Sequence, residues 1–298
     1  MHVAVLKGGM SAERAVSLVS GAAVAKACAS LGHQVTEIDM SADVVEQLQA
    51  AKPDMVFNAL HGRYGEDGCV QGVLEILKIP YTHSGVLASA VAMDKPMAKR
   101  IFAAAGLNCA EGTVAQRDAV IAGDVMARPY VVKPANEGSS VGVKLLFPND
   151  NFFFTAANWP YGDTVLVEKY IPGRELTVAV LDDVALGVTE IRPETGFYDY
   201  DNKYGPNGAK HLCPAPLPEA KAREVMQMAL TAHRALGCRS LSRSDFRYDE
   251  EGDGQVYILE TNTQPGMTPQ SLSPEQAAYA GIDFEHLVAR ILATARLD

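Results

Sequence analysis

The first 80 residues alternate between short apolar strands and helical segments, and this order restricts the fold more than any other feature of the chain. Strands are predicted at HVAVL, QVTEID and DMVFNAL, and each precedes a helical pattern. The first helix is expected from Ser11 to about Leu31. Strands that alternate with helices predict a parallel, doubly wound α/β sheet. Ligands of such sheets bind beyond the carboxyl ends of the strands.

Two polar segments follow the ends of these strands. They are KGGMSAE at 7–13 and HGRYGEDG at 61–68. The first segment lacks the GxGxxG spacing of a dinucleotide-binding turn. Ser11 has the character of a helix N-cap, and Glu13 is expected in the first helical turn, where a carboxylate is favourable to the helix dipole. Glu13 therefore has either this structural role or a role as acceptor for a ligand ammonium.

A second constraint lies near the C-terminus, where RSDFRY and QVYILETN are joined by DEEGDG. Two apolar strands with a glycine-containing turn predict a β-hairpin. Folding the chain about this turn puts Asp245 opposite or diagonal to Glu260, and Arg243 beside Asn262. Because side chains alternate across a strand, the other face is expected to carry Phe246, Tyr248, Tyr257 and Leu259.

The polar face of this hairpin suits a metal ion. Two carboxylates and an amide oxygen match the preference of Mg²⁺ for few carboxylates plus substrate phosphates. The alternative is a solvated hairpin end that carries a surface Arg–Asp pair. The other motifs of the chain are needed to choose between these interpretations.

Two lysines are candidates for binding phosphate. Lys95 lies at the start of a predicted helix that Asp94 caps and Gly106 ends, and helix N-termini attract anions. The alternative for Lys95 is a solvated position at a helix boundary. Lys133 enters the glycine-rich segment NEGSSVG, whose backbone N–H groups are able to approach an oxyanion. No GxxxxGK[ST] motif occurs, which excludes a P-loop NTPase.

Two further segments indicate moving parts. The IPG turn within VLVEKYIPGREL predicts a hinge between two lobes. Residues 192–216 form the longest stretch without clear periodicity, and loops of that length in compact domains are commonly lids. The aromatic and charged residues in this stretch favour a lid over a disordered segment.

Composition excludes several classes of protein. The net charge of −10 argues against a nucleic-acid-binding surface, which needs a basic stripe. No apolar stretch approaches the roughly 18 residues that span a bilayer. The five cysteines form no CxxC pair and are odd in number, so neither a zinc site nor a disulfide framework is expected. A reducing cytoplasm is therefore the predicted location.

Several spaced motifs occur in order along the chain. They are GGMSAERAVS, HGRYGEDG, MDK, VVKP with EGSSVGV, VEKYIPGRELTV, FYDYDNKY, SRSDF, and ETNTQPGMT followed by SL. Several of these motifs are weakly specific alone. Their joint order and spacing resemble the D-alanine:D-alanine ligase family of the ATP-grasp superfamily over essentially the whole chain.

The resemblance implies an α/β fold in which a Rossmann-like N-terminal domain at 1–88 precedes a two-lobed ATP-grasp domain. The central lobe would span 89–180 and the C-terminal lobe 181–298. The implied reaction transfers the γ-phosphoryl group of ATP to one D-alanine, and the amine of a second D-alanine attacks the acyl phosphate. The product is D-alanyl-D-alanine for peptidoglycan synthesis. A cytoplasmic homodimer with no nucleic-acid or membrane partner is expected.

The resemblance also assigns residues to ATP and to two Mg²⁺ or Mn²⁺ ions. The ions would bind to Asp245, Glu260 and Asn262. The lysines that bind phosphate would be Lys95 and Lys133. Adenine and ribose would be bordered by Glu168, Lys169, Ile171 and Glu175.

The second half-reaction builds a tetrahedral oxyanion, which needs preorganised donors. The resemblance assigns this role to Arg243 and the backbone N–H of Gly266. Glu13 would hold the ammonium of the first D-alanine, with His61 close by in the substrate site. Ser271 would bind the carboxylate of the second D-alanine.

The lid completes the implied site. Lys203 and Tyr204 lie in it, and the family links Tyr204, Ser139 and Glu13 by hydrogen bonds that close the site. Closure matters because water would hydrolyse the acyl phosphate. Tyr204 also favours an amine nucleophile, since relatives that use D-lactate often carry histidine in this part of the lid.

Several positions depart from the pattern of the family. They are Met10, Asn136, Ser240, Ser242 and Ser244. None of them removes a catalytic group, although Ser240 and Ser242 are expected to affect the strand geometry beside Arg243. The alternatives are a ligase that joins D-alanine to D-lactate or D-serine, and a non-catalytic ATP-binding regulator. A regulator would be favoured by loss of a metal ligand, a phosphate lysine or Arg243, and none is lost.

Overall fold

A computed structural model of the chain describes residues 1–136, 142–192 and 209–298. Three residues with predicted roles, Ser139, Lys203 and Tyr204, lie outside the described residues. In the part of the chain that is described, the strands form three sheets, and helices flank them.

The N-terminal sheet has three parallel strands in the order β2-β1-β3. These strands are β1 (His2–Lys7), β2 (Gln34–Asp39) and β3 (Met55–Asn58). The helices that follow them are α1 (Arg14–Ser30), α2 (Val44–Ala51) and α3 (Cys69–Leu77). The predicted alternation and the parallel sheet are confirmed.

The first helix begins later than the sequence predicts. It starts at Arg14, so Glu13 occupies the N-cap position and not the first turn. Ser11 does not cap the helix as predicted. Its Oγ accepts a hydrogen bond from the Glu13 backbone N–H at 3.1 Å and donates to the His61 carbonyl at 2.6 Å. Ser11 stays outside the helix because its hydroxyl joins the two polar segments at the end of the sheet.

Two helices lead from the first sheet to the second. They are α4 (Val86–Met93) and α5 (Lys95–Ala104). The Asp94 side chain accepts a hydrogen bond from the Met97 backbone N–H at 2.9 Å, with proline in the first turn. Gly106 follows the last turn with a φ of 79°. The predicted start and end of this helix are confirmed.

The second sheet has four antiparallel strands in the order β4-β7-β5-β6. They are β4 (Gly112–Gln116), β5 (Tyr130–Pro134), β6 (Lys144–Leu146) and β7 (Thr164–Lys169). The short helix α6 (Arg117–Ala122) follows β4. In the hydrophobic core of this second sheet, Tyr130, Val132 and Val167 pack with Phe154.

The third sheet has six strands, with the order β11-β10-β8-β12-β13 and β9 paired to β8. The strands are β8 (Arg174–Leu181), β9 (Val184–Ala185), β10 (Thr189–Arg192), β11 (Lys210–Leu212), β12 (Leu241–Tyr248) and β13 (Val256–Asn262). The helices around it are α7 (Glu219–Ala235), α8 (Leu272–Tyr279) and α9 (Phe284–Ala293).

The chain passes from the second sheet to the third between Lys169 and Arg174. The expected boundary between the two ATP-grasp lobes, after residue 180, falls within β8. That strand belongs to the third sheet because it pairs with β12 from Arg174 to Leu181. The predicted hinge turn, Ile171 to Gly173, lies in the connection between the sheets.

The first and third sheets share one hydrophobic core. Val5 and Val24 of the N-terminal layer are fully buried in the same cluster as Leu181, Leu241 and Ile291. A shared core of this kind fixes the ends of β1 and β3 relative to the strands β12 and β13. Residues from both ends of the chain are thereby held at one place.

The cysteines are free, and burial raises the pKa of the Cys28 thiol to about 11. Within the described ranges, no helix combines the length and the apolar character that a membrane span requires.

Ser240 generates a prediction about stability. Its φ of 60° lies in the left-handed region, and its buried hydroxyl finds no hydrogen-bond partner in the described residues. We expect Ser240→Gly to stabilise the fold by roughly 1 kcal/mol, because glycine adopts this conformation without strain. The measurement is the urea midpoint of unfolding.

Ser242→Gly is the matched control for that substitution. The Ser242 Oγ lies 2.7 Å from Nδ1 of the buried His233, so glycine there removes a buried hydrogen bond. This variant should lose about 1–2 kcal/mol. Loss of stability in Ser240→Gly would contradict the argument from backbone strain.

Candidate active site

The hairpin of β12 and β13 has the predicted register. Asp245 pairs with Glu260, and Arg243 pairs with Asn262. Arg243 Nη2 lies 2.8 Å from Asp245 Oδ2, and Thr177 Oγ1 donates to Asp245 Oδ1 at 2.6 Å. The polar face inferred from the sequence is therefore confirmed as a spatial cluster.

The opposite face of the hairpin differs from the prediction. The register shifts between Asp245 and Phe246, which marks a β-bulge in the ladder. Leu259 consequently lines a cleft beside Glu260, and Tyr257 does not join the core. The prediction for Tyr257 and Leu259 is wrong because a bulge breaks the two-residue period of a strand. The residues that pack with Phe246 are Tyr248, Val256 and Ile258.

A cleft of about 730 Å³, counted to its open mouth, lies between the second sheet and this hairpin. Six of the residues predicted for ATP and metal line it, namely Lys95, Lys133, Glu168, Lys169, Ile171 and Glu260. The remaining walls include Val131, Tyr170, Arg247 and Leu259.

Glu168 is buried in the cleft between two lysines. Its carboxylate is bonded to both Lys133 and Lys99. Burial acts to raise the pKa of Glu168, but the charges of Lys133 and Lys99 outweigh it and lower the pKa below its ordinary value. Glu168 is therefore ionised at neutral pH and bridges the two cations.

Lys99 contacts the cleft residue Glu168, and the sequence arguments miss it. Its Nζ also donates to the Ala110 carbonyl at 2.6 Å, so the ammonium is held at this position. A signal exists in the sequence, because Lys99 follows Lys95 by four residues and thus lies on the same face of α5.

Lys95 links the phosphate candidates to the metal candidates. Its Nζ lies 3.1 Å from Glu260 Oε2. The Lys95 backbone N–H donates to the Ala135 carbonyl at 3.1 Å, which fastens the start of α5 to the end of β5. The predicted cation and the predicted metal ligand therefore meet in one ion pair in the lining of the cleft.

Arg247 fastens the connection between the lobes. Its guanidinium donates to the Ile171 carbonyl at 3.1 Å and to the Gly173 carbonyl at 2.7 Å. The same group lies 3.4 Å from Glu175 Oε2, so the predicted ribose acceptor is ion-paired beside the cleft. Sequence reasoning misses Arg247, although it follows Asp245 by two residues on the same strand.

The N-terminal domain brings a second group of side chains to the hairpin. Glu13 and His61 are both buried. Gly62 has a φ of 70°, which favours glycine, and a Cβ there would lie 2.7 Å from Glu13 Oε2. Burial lowers the pKa of His61, Glu13 opposes this shift, and the positive charge of Arg243 adds to it. Glu13 and Arg243 therefore both act electrostatically on the same imidazole.

Glu66 belongs to this group but was not predicted. It is buried, and its Oε2 has no hydrogen-bond partner among the described residues. Burial raises the pKa of Glu66 well above its ordinary value, and the Glu13 carboxylate raises it further. The motif HGRYGEDG contains this glutamate, but a loop without periodicity does not reveal which of its side chains turn inward.

The segment after β13 carries the last predicted residues. Thr268 donates its backbone N–H to Ser271 Oγ at 2.9 Å. A Cβ at Gly266 would lie 2.7 Å from that Ser271 oxygen, so the absence of a side chain allows this close approach. Asn262 Oδ1 accepts from the Gln264 backbone N–H at 2.7 Å, which leaves one lone pair of that oxygen for another partner.

The donor set fits a hard divalent cation. No group of three or more His, Cys, Asp or Glu side chains suited to a metal occurs in 1–136, 142–192 or 209–298. The predicted set has only two carboxylates and one amide, which suits Mg²⁺ because that ion keeps water and phosphate oxygens in its shell. Asp245, Glu260 and Asn262 are neighbours in one ladder.

Comparisons with known proteins agree with this architecture. The family profile described as "D-ala D-ala ligase C-terminus" matches residues 102–293, and the one described as "D-ala D-ala ligase N-terminus" matches residues 41–84. The D-alanine:D-alanine ligase of Parvibaculum lavamentivorans is 54% identical over 100% of this chain and 98% of its own length. That of Paramagnetospirillum magneticum is 55% identical over 100% of this chain and 99% of its own length.

Solved structures extend the likeness to the fold. The D-alanine:D-alanine ligase from Bacillus anthracis complexed with ATP superposes with a TM-score of 0.82 at 30% identity. The superposition covers 99% of this chain and 97% of that structure. The predicted fold class is confirmed. The chain belongs to the D-alanine:D-alanine ligase family and has its ATP-grasp fold.

Proposed function

We propose that this protein joins two D-alanine molecules to D-alanyl-D-alanine in the cytoplasm, for the synthesis of peptidoglycan precursors. ATP supplies the energy through a D-alanyl phosphate. The observation that carries the proposal is the register of Arg243, Asp245, Glu260 and Asn262 at one end of a cleft lined by lysines. Family membership adds the substrate class, and the resemblance also supports a homodimer.

ATP would lie in the cleft between the second sheet and the hairpin. Adenine would contact Glu168, Lys169 and Ile171, and Glu175 would accept from the ribose. The phosphates would point towards Lys95 and Lys133, whose present partners are carboxylates. Support comes from the cleft lining and from the related ligase that was solved with ATP.

The metal ions would bind to Asp245, Glu260 and Asn262. When bound there, Mg²⁺ or Mn²⁺ would supply positive charge that neutralises the phosphates. Lys95 is paired with Glu260, so this cation also lies where the phosphates are expected. Phosphoryl transfer depends chiefly on such positioning and charge neutralisation.

In the first step, a carboxylate oxygen of one D-alanine attacks the γ-phosphorus and ADP leaves. In the second, the amine of another D-alanine attacks the acyl carbon, loses a proton and expels phosphate. Glu13 would hold the first ammonium, with His61 bordering this subsite, and Ser271 would hold the second carboxylate. Arg243 and the Gly266 N–H would stabilise the tetrahedral oxyanion.

The closing of the site is assigned to Ser139 and Tyr204 together with Glu13, and Lys203 of the lid is assigned to substrate binding. Ser139, Lys203 and Tyr204 lie outside the described residues. Tyr204 would favour an amine over a hydroxyl as the nucleophile. A related ligase that uses D-lactate or D-serine is the competing function, and substrate tests separate it from the proposed one.

The reaction is tested by phosphate release from ATP with Mg²⁺ and D-alanine, with the product identified by mass. We expect release that requires D-alanine and yields its dipeptide, while L-alanine and D-lactate give little. Asp245→Ala should abolish turnover because it removes a metal ligand. Glu251→Ala, an exposed change in the turn of the same hairpin, should keep it.

Two outcomes would contradict the proposal. One is ATP binding without turnover on any of these substrates, which would favour a regulatory protein. The other is full activity in Asp245→Ala, which would remove the metal assignment.

Lys99 gives a separate prediction about nucleotide affinity. Without it, Lys133 is the sole cation at the Glu168 carboxylate and is held more firmly away from phosphate. We expect Lys99→Met to raise the KM for ATP about tenfold or more, in keeping with a lost charge-assisted hydrogen bond, and to change kcat less. Calorimetric titration with ATP and Mg²⁺ checks the affinity directly.

Lys221→Met is the control for that variant. Lys221 is likewise half-buried, paired with Glu224 and bonded to the Gly254 carbonyl, but neither of these two partners lines the cleft, whereas the Lys99 partner Glu168 does. An unchanged KM for ATP in Lys99→Met, or an equal rise in Lys221→Met, would contradict the role of Lys99.

A further inference from the structure

The N-terminal domain forms hydrogen bonds to the segment 264–267 on both sides of Gly266. His61 Nδ1 lies 3.0 Å from the Gln264 carbonyl oxygen, two residues before this glycine. The Met267 backbone N–H, one residue after it, donates to Ser20 Oγ at 3.2 Å. These contacts cross more than 200 positions of sequence and join two domains at the loop that carries the predicted oxyanion donor.

The chemistry of the partners fixes the proton positions. A carbonyl oxygen only accepts, so His61 Nδ1 carries the proton. Nε2 is then an acceptor, and it lies 3.0 Å from the Ser20 hydroxyl, which donates to it. Both ring nitrogens of His61 are therefore used inside the protein. Burial lowers the pKa of this imidazole, which agrees with a neutral ring.

The result is a closed circuit of hydrogen bonds around one peptide. It runs from the Met267 N–H to Ser20, from Ser20 to His61, and from His61 to the Gln264 carbonyl. Ser20 is 0% exposed and His61 is 5% exposed, so water does not compete for these bonds. A circuit without access to water restricts the orientation of the Gly266 peptide between its two ends.

The Gln264 side chain anchors the same segment to the end of β3. Its amide nitrogen is bonded to the Asn58 carbonyl and lies 2.9 Å from His83 Nδ1. Its amide oxygen accepts from Asn58 Nδ2 at 3.3 Å. The segment is thus fixed by its side chain as well as by its backbone, which limits translation of Gly266 relative to Glu13.

We propose that Ser20 and His61 are positioning residues, which hold the Gly266 N–H at the place where the tetrahedral oxyanion develops. This inference rests on the proposed function, because it concerns the second half of that reaction. Neither side chain needs to touch substrate for this role. Hydrogen bonds provide this positioning across a domain boundary, because the loop of Gly266 belongs to one domain and the side chains of Ser20 and His61 belong to another.

The proposal predicts an unequal effect on the two half-reactions. The oxyanion exists only while the second amine attacks, so a misplaced Gly266 N–H slows ligation. The transfer of phosphoryl to the first D-alanine relies on the cleft and metal residues, whereas the side chains of Ser20 and His61 hydrogen-bond to each other and to the segment 264–267. The acyl phosphate would then persist longer and be hydrolysed by water, which releases phosphate without forming dipeptide.

The test is the ratio of phosphate released to dipeptide formed, measured in the full-length Ser20→Ala protein with saturating ATP, Mg²⁺ and D-alanine. We expect dipeptide formation to fall by roughly ten- to a hundredfold, as misplacement of a catalytic group does, and the ratio to rise well above that of the wild type. Ser17→Ala is the matched control. Ser17 is a buried serine of the same helix, and its hydroxyl donates to the Ala59 carbonyl instead of bonding to the segment 264–267.

Two variants at His61 keep the proposal testable if Ser20→Ala fails to fold. His61→Asn keeps a donor near the Nδ1 position and loses the bond to Ser20, whereas His61→Gln places an amide near Nε2 and loses the bond to Gln264. Both should raise the ratio of phosphate to dipeptide. A merely structural role would lower both products together and leave this ratio at the wild-type value.

The wild-type protein separates the two proposals. Absence of dipeptide in the wild type would overturn the proposed function itself. Dipeptide in the wild type, together with an unchanged ratio in folded Ser20→Ala or in both His61 variants, would overturn the positioning role alone. A raised ratio in Ser17→Ala equal to that of Ser20→Ala would also overturn it.

Discussion

The buried polar contact between the N-terminal domain and the segment after β13 determines where the parts of this site lie. Gln264 bonds to Asn58 and His83, and its carbonyl oxygen accepts from His61. Buried polar groups of this kind are costly when they lack partners, so the two domains fit together in one arrangement. In that arrangement, Glu13 of the first domain and Arg243 of the third sheet both act electrostatically on His61.

The charged residues of the cleft are likewise paired with one another. Glu168 lies between Lys99 and Lys133, and Glu260 is paired with Lys95. Buried charges need a partner of opposite sign. A metal–nucleotide complex has both signs, since its phosphates suit the lysines and its metal suits the carboxylate. Binding of this complex would replace the ion pairs between cleft residues by ion pairs with the ligand. No buried charge would then be left uncompensated.

Local patterns in the sequence predict some parts of this structure well and others poorly. The parallel sheet, the Asp94 cap and the pairing of Asp245 with Glu260 follow from periodicity, capping chemistry and turn length. The bulge at Leu259 does not, because the two-residue period contains no information about an inserted residue. Ser20 is equally hidden, since its partners lie more than 40 and more than 240 positions away along the chain. Only the folded chain shows that this helical serine contacts the loop of Gly266.

The central claim is that the loop of Gly266 is held in place before any ligand binds. Hydrogen exchange of the ligand-free protein, read at the backbone amides of Gln264 and Met267, tests this claim most directly. We predict exchange as slow as that of buried amides in α1, because both N–H groups are bonded and shielded from water. Exchange as fast as at the exposed Glu251 of the hairpin turn would contradict the account.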